Sequence, residues 1–154
     1  MTEKQEQTLV LLKPDAIQRG LAGTIISRIE SRGLKMVAAK MLHMSKDLAH
    51  KHYAPHVGRP FFDDLIRFIC SGPIIAMVWQ GPGAVTLIRN TMGSTDPGSA
   101  LPGTIRGDMA VDIGQNLIHG SDSLETASHE ISLFFCPEEI LDYPKVIDTW
   151  ITGS

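Results

Sequence analysis

The residue with the clearest chemical potential is His119, in the run Asn116-Leu117-Ile118-His119-Gly120-Ser121-Asp122. It stands directly before a glycine and two small oxygen-bearing residues, and a helical pattern follows. A turn of this kind can hold an imidazole above backbone N–H groups, where an anion would sit. A neutral imidazole is also one of the few side chains that is a competent nucleophile near pH 7. The same residues suit an ordinary loop histidine ahead of an N-cap, and the heptapeptide alone leaves both readings open.

Outside the apparent core the chain also carries Lys13, Tyr53, Arg89, Thr95, Arg106 and Asn116. A lysine, two arginines and a threonine are what a polyphosphate needs: fixed positive charge, forked donors and a hydroxyl. Such clamps also stabilise the charge that spreads over a transferring phosphoryl group. Phe61, at the exposed start of a helix, is placed to stack on a base without reading its identity. Glu130 follows His119 by eleven residues, from where a carboxylate can return to hold the imidazole ring. Each has an ordinary alternative: a solvated arginine, a core phenylalanine, a surface acid. The group His50, His52 and His56 is set aside as a metal site, because Pro55 interrupts it and no cysteine or acid supports it. No metal ligands are assigned. The chain has no Walker A loop, kinase glycine loop or HRD-like motif. Phosphate transfer here needs another design, and a covalent histidine intermediate fits that absence.

These residues need a scaffold. Thr8 to Leu12 is a short continuous apolar run, suited to a central strand buried on both faces. Lys13-Pro14-Asp15 stops it, leaving the lysine either to snorkel to solvent or to point into a site. Helical spacing marks 23–32, with Gly33 as C-cap. A second strand is predicted over 34–44, and Ser45 opens a short helix running to Tyr53. Pro60 starts a helix whose apolar face is Phe61, Leu65, Phe68 and Ile69. The third strand is 73–79, and a helix follows Gly83. Residues 93–108 form a long loop full of turn residues, of a length that is often functional. A helix is predicted over 123–132 with Leu124, Ala127 and Ile131 on one stripe, then a final strand over 133–136. This order favours an α/β (α+β) sandwich of the ferredoxin-like, split-βαβ type, an antiparallel sheet covered by helices. A doubly wound flavodoxin-like sheet is the alternative.

At 154 residues the chain reads as one domain, 1–154, able to bury a real core. With 43% hydrophobic residues and a net charge of -3, nothing suggests bulk binding to nucleic acid or anionic membrane. No apolar run approaches the ~20 residues of a membrane span. The segment 1–7 is polar and unlike a signal peptide. Cys70 and Cys136 lie in apolar stretches without metal-ligand spacing and are read as buried thiols in a reducing, cytoplasmic compartment.

With these residues assembled, the sequence closely resembles the nucleoside diphosphate kinase family over about residues 8–150. The most specific pieces are 116–122 and Pro102-Gly103-Thr104-Ile105-Arg106-Gly107-Asp108. Lys13-Pro14-Asp15, Gln18-Arg19-Gly20, Arg59-Pro60-Phe61-Phe62, Ser71-Gly72-Pro73 and Met77-Val78-Trp79 support them in the correct order. The resemblance implies a ferredoxin-like core and a ping-pong exchange between nucleoside triphosphates and diphosphates, ribo and deoxyribo. The histidine matching His119 takes the γ-phosphate, usually of ATP, as a phosphohistidine and passes it to a second nucleotide. Phe61 then matches the base-stacking position, and Lys13 and Asn116 those that meet the ribose. Arg89, Thr95 and Arg106 match phosphate-binding positions, while Tyr53, Ser121 and Glu130 match residues supporting the histidine. Mg2+ is implied as arriving with the nucleotide, held mostly by phosphate oxygens. The assembly implied is a homo-oligomer, a hexamer in preference to a tetramer. Departures fall at 94–102, at Val57-Gly58 and at 150–154, loop and tail regions that make subunit contacts in the family. The competing reading is a non-catalytic nucleotide- or RNA-binding module on the same fold.

Overall fold

The computed structural model describes residues 5–153, so most of the polar segment 1–7, and Ser154 at the other end, lie outside the described residues. Strand β1 (Gln5–Leu12) leads into α1 (Pro14–Gln18) and α2 (Ala22–Arg32); β2 (Lys35–His43) precedes α3 (Lys46–His52) and α4 (Phe62–Ile69). Then come β3 (Pro73–Pro82), α5 (Ala84–Met92), α6 (Ile105–Met109), β4 (Ile118–Gly120), α7 (Leu124–Phe134) and α8 (Asp148–Thr152). The sheet order is β2-β3-β1-β4, and every neighbouring pair is antiparallel. β1 and β2 therefore run the same way with β3 between them, which is the ferredoxin-like α+β arrangement expected from sequence. No helix among the described residues is long and apolar enough to cross a membrane.

β1 is central and buried on both faces, as its unbroken apolar run requires. Strand periodicity sends Leu9 and Leu11 to one face, where they meet Ala49 of α3, Ile66 and Ile69 of α4, and Ile131 and Phe134 of α7. Val10 and Leu12 go to the other, against Ile25 and Ile29 of α2 and Ile88 and Met92 of α5. Gly33 closes α2 at φ 104°, a left-handed cap that glycine reaches without strain. Ser45 caps α3 by accepting from the Leu48 N–H.

The structure corrects several expectations. The fourth strand is Ile118–Gly120, not 133–136. Leu133 and Phe134 complete the last turn of α7, because Phe134 continues the buried stripe of Ala127 and Ile131. A short apolar run reads the same in a strand or a helix end. Leu124, the first residue of α7, is exposed. On α4 Ile66 and Ile69 are buried and Leu65 packs partly buried against the same core, with Phe61 half exposed ahead of the helix. The long loop contains α6, which Thr104 caps by accepting from the Gly107 N–H. Pro14 starts α1 directly after Lys13, an element the sequence reading lacked. Both cysteines are free, Cys70 half-buried and Cys136 exposed rather than buried.

Candidate active site

His119 lies in β4 rather than in a turn, paired with Leu11 of β1. Two-residue alternation follows from that. His119 and Ser121 face the α3 and α7 side with Leu11, while Ile118 and Gly120 face α5. Gly120 is obligatory for this closeness: a Cβ there would fall 2.6 Å from Met92 Sδ and 2.9 Å from Ile88 Cγ2. On the near side, α7 directs Glu130 inward among Ala127, Ile131 and Phe134. Its carboxylate lies 3.1 and 3.0 Å from His119 Nε2 and accepts from Ser121 Oγ at 2.6 Å. Ser121 is itself tied to β1, since its oxygen accepts from the Leu9 N–H at 3.3 Å.

Burial would raise the Glu130 pKa, but the hydrogen bonds from His119 and Ser121 hold it below its ordinary value. Glu130 is thus ionised at neutral pH and accepts only. The His119 nitrogen facing it must carry the proton, and Nδ1 keeps the lone pair.

A second group lies at the other end of the same segment. Lys13, next after β1, donates to Asn116 Oδ1 at 2.8 Å, and Asn116 Nδ2 donates to the Thr95 carbonyl at 2.9 Å. Arg106, on α6 and 3% exposed, donates to the carbonyls of Asn116, Gly93 and Ile118. One guanidinium therefore joins the 93–95 loop to both sides of Leu117. Leu117 has φ 74°, the only non-glycine positive φ among the described residues, and Ile118 N–H donates to the Asn116 carbonyl at 2.9 Å. That is a γ-turn of the strained, positive-φ kind, which costs roughly 1–3 kcal/mol. Lys13 N–H donates to its carbonyl, and its own N–H donates to Asp15 Oδ2 at 3.0 Å. Strain is held where the chain must turn Asn116 and His119 toward one space.

Positive charge in this space is under-compensated. Burial, with Arg106 nearby, pulls Lys13 from 10.5 to about 8, against a smaller upward pull from Asp15. Burial and Arg89 pull Arg106 down to about 10. Arg89 donates to the Gly120 carbonyl at 3.3 Å and pairs with Asp122 at 2.9 Å, at the rim. Buried cations pushed below their ordinary range mark a place suited to an anion.

Aromatic rings lead from His119 to the surface. His52 stands edge-on to His119 with centroids 4.7 Å apart, Tyr53 follows at 4.6 Å, His56 at 6.2 Å and Phe61 at 5.6 Å. Burial raises the Tyr53 phenol pKa, with Glu130 adding to it. Phe61 is 49% exposed at the outer end, open to a planar partner. All ten residues singled out from sequence thus join one connected patch: Lys13, Tyr53, Phe61, Arg89, Thr95, Arg106, Asn116, His119, Ser121 and Glu130.

Two members were missed as site residues. Asp15 is buried and fixes the Leu117 turn; its place in Lys-Pro-Asp, in the first turn of a helix, was the available signal. His52 was weighed only with His50 and His56 along one helix, yet its ring turns away to His119. Burial first, then the neighbouring His119, drives its pKa to about 3, so it is neutral.

The fold and patch define a ferredoxin-like α+β protein with a carboxylate-held histidine beside an anion-ready pocket, the equipment of a phosphotransferase. The family model described as nucleoside diphosphate kinase matches residues 6–140. The chain is 57% identical over 146 residues to the nucleoside diphosphate kinase of Listeria monocytogenes serotype 4a, covering 95% of this chain and 99% of that one. It is 53% identical over 148 residues to that of Thermomicrobium roseum, covering 96% and 99%. Among solved structures, the halophilic nucleoside diphosphate kinase of Halobacterium salinarum in complex with CDP superposes with a TM-score of 0.94 at 49% identity, covering 96% of this chain and 99% of that one. The family protein from Babesia bovis gives 0.92 at 43%, covering 95% and 99%. The chain belongs to the nucleoside diphosphate kinase family and is a nucleotide-binding phosphotransferase.

Proposed function

We propose that His119 Nδ1 is the nucleophile of a reversible ping-pong exchange between nucleoside triphosphates and diphosphates. The observation that carries this is the fixed tautomer: Nε2–H donates to ionised Glu130, which leaves Nδ1 unprotonated. Nδ1 attacks the γ-phosphorus, an N–P bond forms, and the P–O bond to the β-phosphate breaks with its electrons on the leaving diphosphate. The ring becomes cationic, and the carboxylate of Glu130 balances it. A terminal phosphate oxygen of a second diphosphate then reverses the step. Arg89, Thr95 and Arg106 are assigned to the phosphates, Lys13 and Asn116 to the sugar, and Phe61 to the base. Three of the five Arg106 N–H groups are occupied by carbonyls, leaving two for an anion. Ser121 holds the carboxylate of Glu130, and Tyr53 packs its ring against His52, which stands beside the histidine. The CDP bound to the halophilic relative supports a nucleotide in this space.

Mg2+ is assigned to the nucleotide, where it would offset phosphate charge. It prefers oxygen ligands and its own waters. Among the described residues the one compact group of three possible ligands is His52, His119 and Glu130, with two nitrogen donors. That set does not make a magnesium cage, and three cations in the pocket suit an ion carried by phosphate.

The reading extends to a single domain over 1–154 acting in the cytoplasm, which the free thiols support. It also includes a homo-oligomer, a hexamer in preference to a tetramer. Exposed Val111, Ile113 and Trp150 support association, and sedimentation equilibrium distinguishes six subunits from four. The test of the chemistry is labelling with γ-labelled ATP. Wild type should carry an acid-labile, alkali-stable phosphoryl group and discharge it to several diphosphates. Equal labelling of His119→Ala would refute it.

A further inference from the structure

His52 is 6% exposed, and neither ring nitrogen has a hydrogen-bond partner among the described residues. A buried imidazole left so is uncommon and calls for a specific reason. Its Nδ1 lies 3.5 Å from Glu130 Oε2, and the same oxygen lies 3.0 Å from His119 Nε2. One ligand atom from each of the three residues falls within 4.8 Å of the others. Zinc binds imidazole nitrogen and carboxylate oxygen at ~2.0–2.2 Å, so the ligand atoms of a tetrahedral site sit roughly 3.3 Å apart. The two distances to Glu130 bracket that value. Two imidazoles and one carboxylate are the protein donor set of a catalytic-type zinc site, and unlike that of magnesium.

We propose that His52, His119 and Glu130 form a site for a borderline divalent transition ion, of which zinc is the type, and that its occupancy silences His119. The ion takes the lone pair of Nε2 in place of that nitrogen's bond to Glu130. The neutral ring has one proton, which then resides on Nδ1 after exchange with water. Nδ1 has no lone pair left to attack phosphorus. The ion sits behind the ring, on the side away from the nucleotide, so ATP does not compete with it for ligands. His52 thereby acquires a role, as the ligand that makes a pair of supporting residues into a chelate.

Binding does not depend on the phosphohistidine reading; the silencing does, and two measurements separate them. Zinc is titrated calorimetrically into nucleotide-free protein carrying Cys70→Ser and Cys136→Ser, so that no thiol contributes. One zinc per chain is expected. The affinity should fall at least ~10-fold in both His52→Ala and His52→Gln, the second keeping bulk and neutrality while supplying a poor zinc donor. Nitrogen NMR of the His119 ring should show the proton moving from Nε2 to Nδ1 as zinc is added. Single-turnover labelling of the zinc-loaded protein should fall in parallel, and recover on chelation. Absence of binding at ~100 μM zinc, equal affinity in both His52 variants, or an unmoved His119 proton would each overturn the site. Full labelling of the zinc-loaded protein would overturn the silencing; absence of labelling in zinc-free protein would instead count against the phosphohistidine.

Discussion

Lys13→Met separates the cost of the pocket from its use. Lys13 holds its charge at 9% exposure, and its pKa falls from 10.5 to about 8. At 1.36 kcal/mol per unit, keeping that charge buried costs the fold roughly 3 kcal/mol at neutral pH. Methionine has similar length and no charge, so the substitution removes this cost. It also leaves Asn116 Oδ1 without its 2.8 Å donor, which returns about 1–3 kcal/mol. The variant should therefore be as stable as wild type at pH 7, or more stable by up to about 2 kcal/mol, a rise of up to ~4–8 °C for a chain of this size. The pH dependence is cleaner, because the hydrogen-bond loss cancels from it. Between about 8 and 10.5 the folded lysine has released its proton while the unfolded one retains it. Wild-type stability relative to the variant must then climb through that window, by about 3 kcal/mol in all. Activity moves oppositely: kcat/KM should drop ~10–100-fold, from the loss of a charged contact to the substrate. The assays are denaturant melts of both proteins at pH 7 and pH 10.5 beside steady-state kinetics. A stability gap that stays flat with pH would refute the buried-charge argument. Unchanged kcat/KM would remove Lys13 from the nucleotide.

Glu130→Gln keeps shape but not charge, so kcat should fall ~10–100-fold. Because the folded pKa of Glu130 lies below its ordinary 4.5, the ionised acid contributes stability above that value, and the gap to the variant should close as pH falls through the folded pKa; melts at pH 7 and pH 3 check this. Phe61→Ala should alter stability by less than about 0.5 kcal/mol, since the ring is half exposed, while raising KM for purine and pyrimidine substrates by similar factors. A rise confined to one base would show base-specific recognition instead. Gly120→Ala forces a methyl against Met92 and branched Ile88, with an expected loss of about 1–3 kcal/mol in a melt.

Legibility varied with the length over which the physics acts. β1, α2 and α5 were readable because periodicity and caps are local: the apolar run 8–12, the Gly33 cap and the stripe of Val85, Ile88 and Met92 each speak for themselves. The strand carrying His119 was not, since three residues hold no pattern and are a strand only because β1 offers an open edge. The mistaken strand at 133–136 is the other half of that error. Site residues were legible as chemical types, and the resemblance placed them. Their connections were invisible: Asp15 fixing Leu117, Arg106 spanning three carbonyls and His52 turning to His119 join residues far apart in the chain.

The placement of β1 has a consequence for how this protein is made. The strand is synthesised early, yet its contacts with the site come late: Leu9 meets Ser121 across 112 residues, and Lys13 meets Asn116 across 103. At ~5–20 residues per second the ribosome leaves β1 waiting roughly 5–20 s for them. Throughout that time one edge of a central strand that carries the apolar run Leu9-Val10-Leu11-Leu12 has no partner, a surface that invites wrong pairing. Histidine and carboxylate meet only when β4 and α7 have emerged. A nascent chain therefore passes through a sticky, inactive stage before its phosphate chemistry can begin, and holding chaperones have a defined segment to guard.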